Sequence, residues 1–329
     1  MQTAFVTGGT GFVGRHVIEQ LSSAGVRVVA LRRRTSDVRH LEKYAGVELA
    51  EGSIGDLDSL RRAIPEGCDA VFHVAANTSF WSGANAEQTR DNVDGTRHVV
   101  EAAIARRVKR LVHTSSVAAW GEQHASPFDE AAPSNALASP VNYERTKRLA
   151  ELEVDKGIAR GLDAVIVNPG HIVGRYDKTG WARMFPLVQQ GKLPGIPPGA
   201  GTFAHVVEVA RAHITAVDKG RSGERYLLGG ADASYVELVG IIGKLLGKKV
   251  PEKATPAWIL KVFGRVSEWG SRVTRRAPDV TPEIATMMGR PPHTFRSDKA
   301  IRELGFRAVP LEEMLREAHA WMKEEGLVS

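Results

Sequence analysis

The chain has 329 residues, enough for one large domain or two interlocked ones, and its 43% hydrophobic and 25% charged residues exclude global disorder. A single cysteine, Cys68, excludes an internal disulfide framework and a Cys-rich zinc site, and fits a reducing cytoplasm. The net charge of +6 is concentrated between Pro251 and Arg276, where six basic residues face two acidic ones. With no zinc-finger spacing or aromatic RNA-binding pattern, this does not point to nucleic acid.

The first half alternates short β-type runs with helical patterns. Thr3–Thr7 reads as a strand, Gly11–Ala24 as a helix and Arg27–Leu31 as a strand. Strands over Val47–Ala50 and Ala70–Val74, a helix over Asn92–Ala105 and a strand over Arg110–Thr114 follow. Tyr143–Arg160 reads as a helix and Ala164–Asn168 as a strand. This order predicts βαβ units and an α/β fold with a parallel sheet. The runs lack strict polar alternation, as strands covered on both faces should.

Beyond Pro169 the texture changes. Residues 190–202 are rich in Gly and Pro and read as loop. Ala204–Asp218 reads as a helix and Arg225–Leu228 as a strand, with further helices over 234–247, Trp258–Arg275 and Leu311–Gly326. The predicted layout is a dinucleotide-binding domain over 1–170, rejoined by 203–230, with a smaller, mostly helical cap from 171–202 and 231–329. No run approaches the ~18 apolar residues of a membrane span, and the N-terminus has no signal-peptide pattern, so a cytoplasmic location is expected.

Three motifs carry chemistry. Between the first strand and helix, Thr7-Gly8-Gly9-Thr10-Gly11-Phe12-Val13-Gly14 has the context of a phosphate-binding turn. Gly8 suits a tight turn, Gly11 lets the backbone approach a pyrophosphate, and Gly14 allows close helix–strand packing. The helix N-terminus offers free N–H groups and the positive end of its dipole. At the end of the second strand, where a carboxylate would hold the ribose of NAD, stands Arg32, followed by Arg33 and Ser36. A guanidinium fork matches a 2′-phosphate, so NADP(H) is expected in preference to NAD(H). Tyr143 and Lys147 are four apart, on one helix face, where an ammonium lowers a phenol's pKa. Ser115 and Ser116 follow a strand at the edge where open α/β sheets bind ligands. One of these serines, Tyr143 and Lys147 thus read as an acid–base assembly on a substrate oxygen.

With these motifs in order, the chain resembles the extended short-chain dehydrogenase/reductases of the epimerase/dehydratase type, with a Rossmann-type doubly wound sheet. Phe72-His73-Val74-Ala75-Ala76, Asn92-Val93-Asp94-Gly95-Thr96 and Asn168-Pro169-Gly170 add to the likeness. Arg33-Arg34-Thr35-Ser36-Asp37 and Thr114-Ser115-Ser116-Val117-Ala118 are similar to dihydroflavonol 4-reductase-like proteins and hopanoid-associated sugar epimerase-like proteins. The resemblance implies that Ser116 polarises the substrate and that Asn92 supports the network. It also implies that Ser53 and Ile54 meet the adenine, with Ser53 replacing the usual Asp. Ala75, Ala76, Asn77, Thr114 and Ser115 would line the cofactor, and Pro169, Gly170 and Ile172 would bound the nicotinamide. It implies a homodimer through the helices at 92–105 and 143–160.

The expected substrate wall is apolar: Thr78, Phe80 and Trp81 near the fourth strand, and Trp181 and Phe185, with Leu193 and Ile196, from the cap. This suits a small hydrophobic carbonyl or alcohol, and hence a reductase. The alternative is a sugar-nucleotide epimerase or dehydratase that keeps NAD bound and uses the same triad. Eleven histidines are scattered without a His-Glu-x-x-His pattern, so no metal is expected. Trp258, Val262, Val266 and Trp269 recur at spacings of three and four; they read as a packed cap helix, with weak peripheral membrane contact as the other reading.

Overall fold

The computed structural model describes residues 1–274, 278, 281–290 and 294–329. Its elements in order are β1 (Thr3–Thr7), α1 (Phe12–Ser23), β2 (Arg27–Arg32), β3 (Val47–Glu51), α2 (Leu57–Ala63), β4 (Ala70–His73), α3 (Asn85–Thr89), α4 (Gly95–Ala105), β5 (Leu111–Thr114), α5 (Asn142–Ile158) and β6 (Ala164–Pro169). The second part adds β7 (His171–Val173), α6 (Met184–Gln189), β8 (Ala200–His205), α7 (Val206–Lys219), β9 (Arg225–Leu228), β10 (Ala231–Ser234), α8 (Tyr235–Leu246), α9 (Ala257–Thr274), α10 (Pro282–Met288), α11 (Asp298–Leu304) and α12 (Leu311–Glu324).

Seven parallel strands form the Rossmann-type sheet, in the order β3-β2-β1-β4-β5-β6-β9. The order reverses between β1 and β4, which opens a crevice at the carboxyl edge. Neighbouring β1 residues serve opposite faces. Ala4 and Val6 pack with Val17, Ile18 and Leu21 of α1 and Val209 of α7, whereas Phe5 packs with Leu60 of α2, Val99 of α4 and Val154 of α5. Burial on both faces is why these strands read as continuous apolar runs.

A second, three-stranded sheet (β10-β8-β7) carries the cap core of Val173, Phe203, Tyr235, Leu238, Leu315 and Trp321. The cap is mostly helical, as expected, around this small sheet. One expectation is corrected: Ala200–Thr202 belong to β8 instead of ending the Gly/Pro loop. Four-residue strands such as β10 are too short to show a period of their own. The segment from Ala300 to Phe306, read with the cap, packs into the large-sheet core beside α1 and α7. Among the described residues no helix is long and apolar enough to cross a membrane.

Candidate active site

Parallel strands β1, β2, β4, β5 and β6 end at one edge with Thr7, Arg32, His73, Thr114 and Pro169. The glycine turn lies across this edge. Gly8 has φ +72°, and a Cβ there would sit 2.6 Å from the Ala75 nitrogen. A Cβ on Gly14 would fall 2.2 Å from the Gly8 carbonyl oxygen, so only glycine lets α1 start this close to the strand. No side chain caps α1 at Gly11 and its first turn holds no acid, so the N–H groups there remain available to an anion. Thr10, Phe12 and Val13 are half-buried beside the exposed Gly11.

A buried relay positions Ala75. The Thr96 hydroxyl donates to the Asn92 carbonyl at 2.6 Å, so His73 Nε2, 3.0 Å away, must donate to Thr96. His73 Nδ1 then accepts the Thr7 hydroxyl at 2.8 Å, and Thr7 Oγ1 accepts the Ala75 N–H at 3.2 Å. This needs a neutral imidazole, and burial does push the His73 pKa down to about 3.

Asn92 lies in a π-helical turn, Arg90–Asp94. Its side chain donates to the Asn77 carbonyl at 2.9 Å and the Thr146 hydroxyl at 3.1 Å, and accepts the Asn77 N–H at 2.7 Å. It thereby ties the loop after β4 to α5, one residue from Lys147. The Lys147 ammonium is buried and donates to the Thr114 carbonyl at 3.0 Å. Loss of hydration lowers its pKa to about 8, against the pull of the Glu151 carboxylate.

Ser116 lies beside the Tyr143 hydroxyl, close enough to favour its ionised form, and Ser116 Oγ accepts the Ala118 N–H at 3.2 Å. Burial raises the Tyr143 pKa to about 12, although the nearby Ser116 side chain acts the other way. This corrects the expectation of a lowered phenol. Lys147 Nζ stays 5.9 Å from the Tyr143 ring centroid, held by Thr114, so loss of hydration wins over attraction to the ammonium. The phenol is therefore protonated at neutral pH.

The Phe80 and Tyr143 rings lie 5.1 Å apart, while Thr78 is exposed nearby in the same loop and Trp81 is half-buried. The cap residues divide differently. Trp181 stacks on Tyr235 at 5.0 Å and meets His171 and Phe203. Phe185 is fully buried and stacks on His319, and Ile196 is fully buried too. Neither offers surface to a substrate, which corrects their placement on the substrate wall. Their apolar spacing matched a site wall and a cap core equally well.

The cofactor-side residues separate into several settings. Arg32 Nη2 lies 3.1 Å from a Glu51 oxygen, and its buried Nε has no partner among the described residues. Arg33 is exposed and its N–H donates to Ser36 Oγ at 3.2 Å. Ser53 caps the approach to α2, accepting the Gly55 N–H at 3.2 Å, and Ile54 packs against Gly95. Ala76 is exposed at the crevice, whereas the buried Ser115 hydroxyl has no partner among the described residues. Pro169 closes β6, the Gly170 N–H donates to the Leu228 carbonyl at 3.0 Å, and Ile172 lies in β7.

Several contributors lie outside the sequence reading. His213 Nδ1 bonds the Val209 carbonyl at 2.7 Å, so its Nε2 accepts the Thr114 hydroxyl at 2.7 Å. Asn168 donates to the Ser116 carbonyl at 3.1 Å and to buried Glu151 at 2.6 Å. Glu283 of α10 accepts the Asn142 N–H at 3.2 Å, at the start of α5. Only the Asn168 segment carried a local signal, its place at a strand end.

Residues 4–229 match the model of the NAD dependent epimerase/dehydratase family. The chain belongs to that family. It is 32% identical to "Sterol demethylase protein B" of Methylococcus capsulatus, over 99% of this chain and 100% of that one. It is 30% identical, over 98% of this chain and 95% of the other, to a Synechocystis sp. protein whose name provisionally assigns it as a dihydroflavonol 4-reductase. The crystal structure of gox2253 superposes with a TM-score of 0.84 at 33% identity, covering 100% of both chains. Family membership makes the chain an enzyme of the extended short-chain dehydrogenase/reductase class.

Proposed function

We propose that the chain is an NADP-dependent oxidoreductase that interconverts a carbonyl and an alcohol on a small hydrophobic substrate. The observation that carries this reading is the convergence of Ser116, Tyr143 and buried Lys147 at the carboxyl edge, with Lys147 held on the Thr114 carbonyl and Phe80 beside the phenol. A nicotinamide dinucleotide fits the crevice. The turn from Gly8 to Gly14 is a cradle that Cβ atoms would fill, and the start of α1 is uncapped. Bound there, the cofactor would supply or accept a hydride.

The residues do the rest. Ser116 Oγ would hold the substrate oxygen. Tyr143, protonated at neutral pH, would give its proton to that oxygen during reduction and recover one from the alcohol in the reverse direction. Lys147 anchors the Thr114 carbonyl and would orient the ribose; Asn92 keeps the loop after β4 in register with α5. Thr7, Gly8, Thr10, Gly11, Phe12, Val13 and Gly14 would hold the pyrophosphate, and Arg32, Arg33 and Ser36 the 2′-phosphate. Apolar names among the relatives, a sterol and a dihydroflavonol, support a hydrophobic substrate.

The test is in two parts. Protein purified without added nucleotide is denatured and its released cofactor identified; an empty site or exchangeable NADP is expected, whereas stoichiometric NAD would favour an epimerase or dehydratase. Wild type and Tyr143→Phe are then assayed with NADPH and a panel of hydrophobic ketones and aldehydes. The variant should lose about 10²–10⁴-fold in kcat with cofactor affinity retained. Full activity in the variant would overturn the mechanism.

A further inference from the structure

Helix α9 presents an apolar stripe to solvent. Trp258 is 68%, Val262 52% and Val266 64% exposed, at spacings of four, and Ile259 beside them is exposed as well. The opposite side is used for packing: Leu260 is buried, and Gly264 lies against Thr281 and Pro282. Trp269 and Val273 continue the repeat in sequence, although their side chains lie outside the described residues, as do Arg275 and Arg276. An isolated exposed apolar side chain needs no explanation; a continuous stripe on one helix marks an interaction surface.

Charge decides what covers it. Residues 244–276 hold nine basic and two acidic side chains, a net +7 within a chain whose total is +6. Everything else sums to −1, so the whole positive excess falls within the stretch of chain that carries this one helix. Lys248, Lys249 and Lys253, on the loop entering α9, and Arg265 on the helix are all exposed. A second copy meeting this face through the same helix would set like charge against like charge. Nucleic acid would match the charge but not the tryptophan and valines. A bilayer surface with anionic headgroups meets both demands at once, with an apolar layer under a layer of negative charge.

We propose that α9 docks the protein on an anionic lipid surface, lying in the interface through Trp258, Ile259, Val262 and Val266, with the flanking lysines and Arg265 on the headgroups. At 18 residues the helix is about 27 Å long, enough to lie along a membrane. It also adjoins the substrate side: Ser82, next to Trp81, hydrogen-bonds Glu268 of α9. The docked helix therefore lies beside the loop that carries Phe80. The proposal stands on this geometry and does not require the oxidoreductase reading.

The test is co-sedimentation of the full chain with vesicles of equal parts phosphatidylglycerol and phosphatidylcholine, and with phosphatidylcholine alone. Binding to the mixed vesicles is expected, at least about tenfold weaker to phosphatidylcholine, and falling as salt is raised. Trp258→Glu/Val262→Glu/Val266→Glu should lower binding at least about tenfold with an unchanged melting temperature, since these side chains are exposed. Lys248→Glu/Lys249→Glu/Lys253→Glu, which leaves the helix untouched, should do the same. The proposal is overturned if the wild type ignores the mixed vesicles, or if the apolar variant binds as the wild type does. It is equally overturned if vesicle binding is absent and the apolar variant instead converts a dimer to a monomer, which would assign the stripe to a second copy.

Discussion

Arg32 and Glu51 stand opposite each other in the last pair of the β2–β3 register, with their side chains 3.1 Å apart. The cation proposed for the 2′-phosphate is thus already partnered, by a carboxylate that would repel that phosphate. Glu51→Gln removes the repulsion and frees the guanidinium. A half-exposed pair contributes at most about 1 kcal/mol, so NADPH affinity should rise about threefold to fivefold. Arg32→Asp should weaken NADPH at least about tenfold and move preference toward NADH. Fluorescence titration with both nucleotides checks each; an unchanged NADPH/NADH ratio in Arg32→Asp would remove Arg32 from the site.

The Thr114–His213 hydrogen bond secures the strand end on which Lys147 rests. His213→Phe leaves the buried Thr114 hydroxyl unpaired, at a cost of about 1–3 kcal/mol. The urea midpoint should fall with an unchanged slope, and kcat should fall less than in Tyr143→Phe. Pairing His213→Phe with Thr114→Val in a double-mutant cycle should show non-additivity. Additive losses would mean that the two residues act separately.

Phe80, an aromatic of the expected substrate wall, meets the Tyr143 ring. Phe80→Ala should raise KM for a hydrophobic carbonyl about tenfold, the scale of one lost aromatic contact, and leave NADPH binding alone. Steady-state kinetics with both substrates varied separates the two effects. If the NADPH constant moves instead, Phe80 belongs to the cofactor side.

Five histidines in the interior are held neutral by burial: the pKa of His73 falls to about 3, those of His16, His171 and His213 to about 4, and that of His113 well below its ordinary value. Their folded pKa values lie below the ordinary 6.5, so the unfolded chain binds more protons as pH falls. The stability they contribute is fully present above about pH 6.5 and drains away below it, down to about 4 for His16, His171 and His213 and to about 3 for His73. Each costs about 1.4 kcal/mol per pH unit within that window. Urea unfolding should show a loss of several kcal/mol between pH 7.5 and 5, and a shallower loss in His213→Phe. A flat profile would mean that these rings ionise in the folded protein.

Much of the large sheet was legible along the chain because its signals are local. A Gly-rich turn between a strand and a helix, and a Tyr and a Lys one turn apart, declare themselves within a dozen residues; so do apolar runs buried on both faces. The sequence by itself therefore determined the α/β class, the succession of strands along the chain up to residue 169, and the candidates Tyr143 and Lys147 with the serine pair Ser115-Ser116; the order of the strands in the sheet came from the structure. What only the tertiary structure decided depends on partners far apart in the chain. Glu51 reaches Arg32 through β-register, His213 reaches Thr114 from α7, and Glu283 reaches the start of α5 from the cap. Phe185 and Phe80 look alike as apolar residues, yet one lies in the cap core and the other on Tyr143. The sign of the Tyr143 shift was likewise a matter of packing: spacing brings an ammonium near, but burial sets how much water the phenolate loses, and that loss is the larger effect.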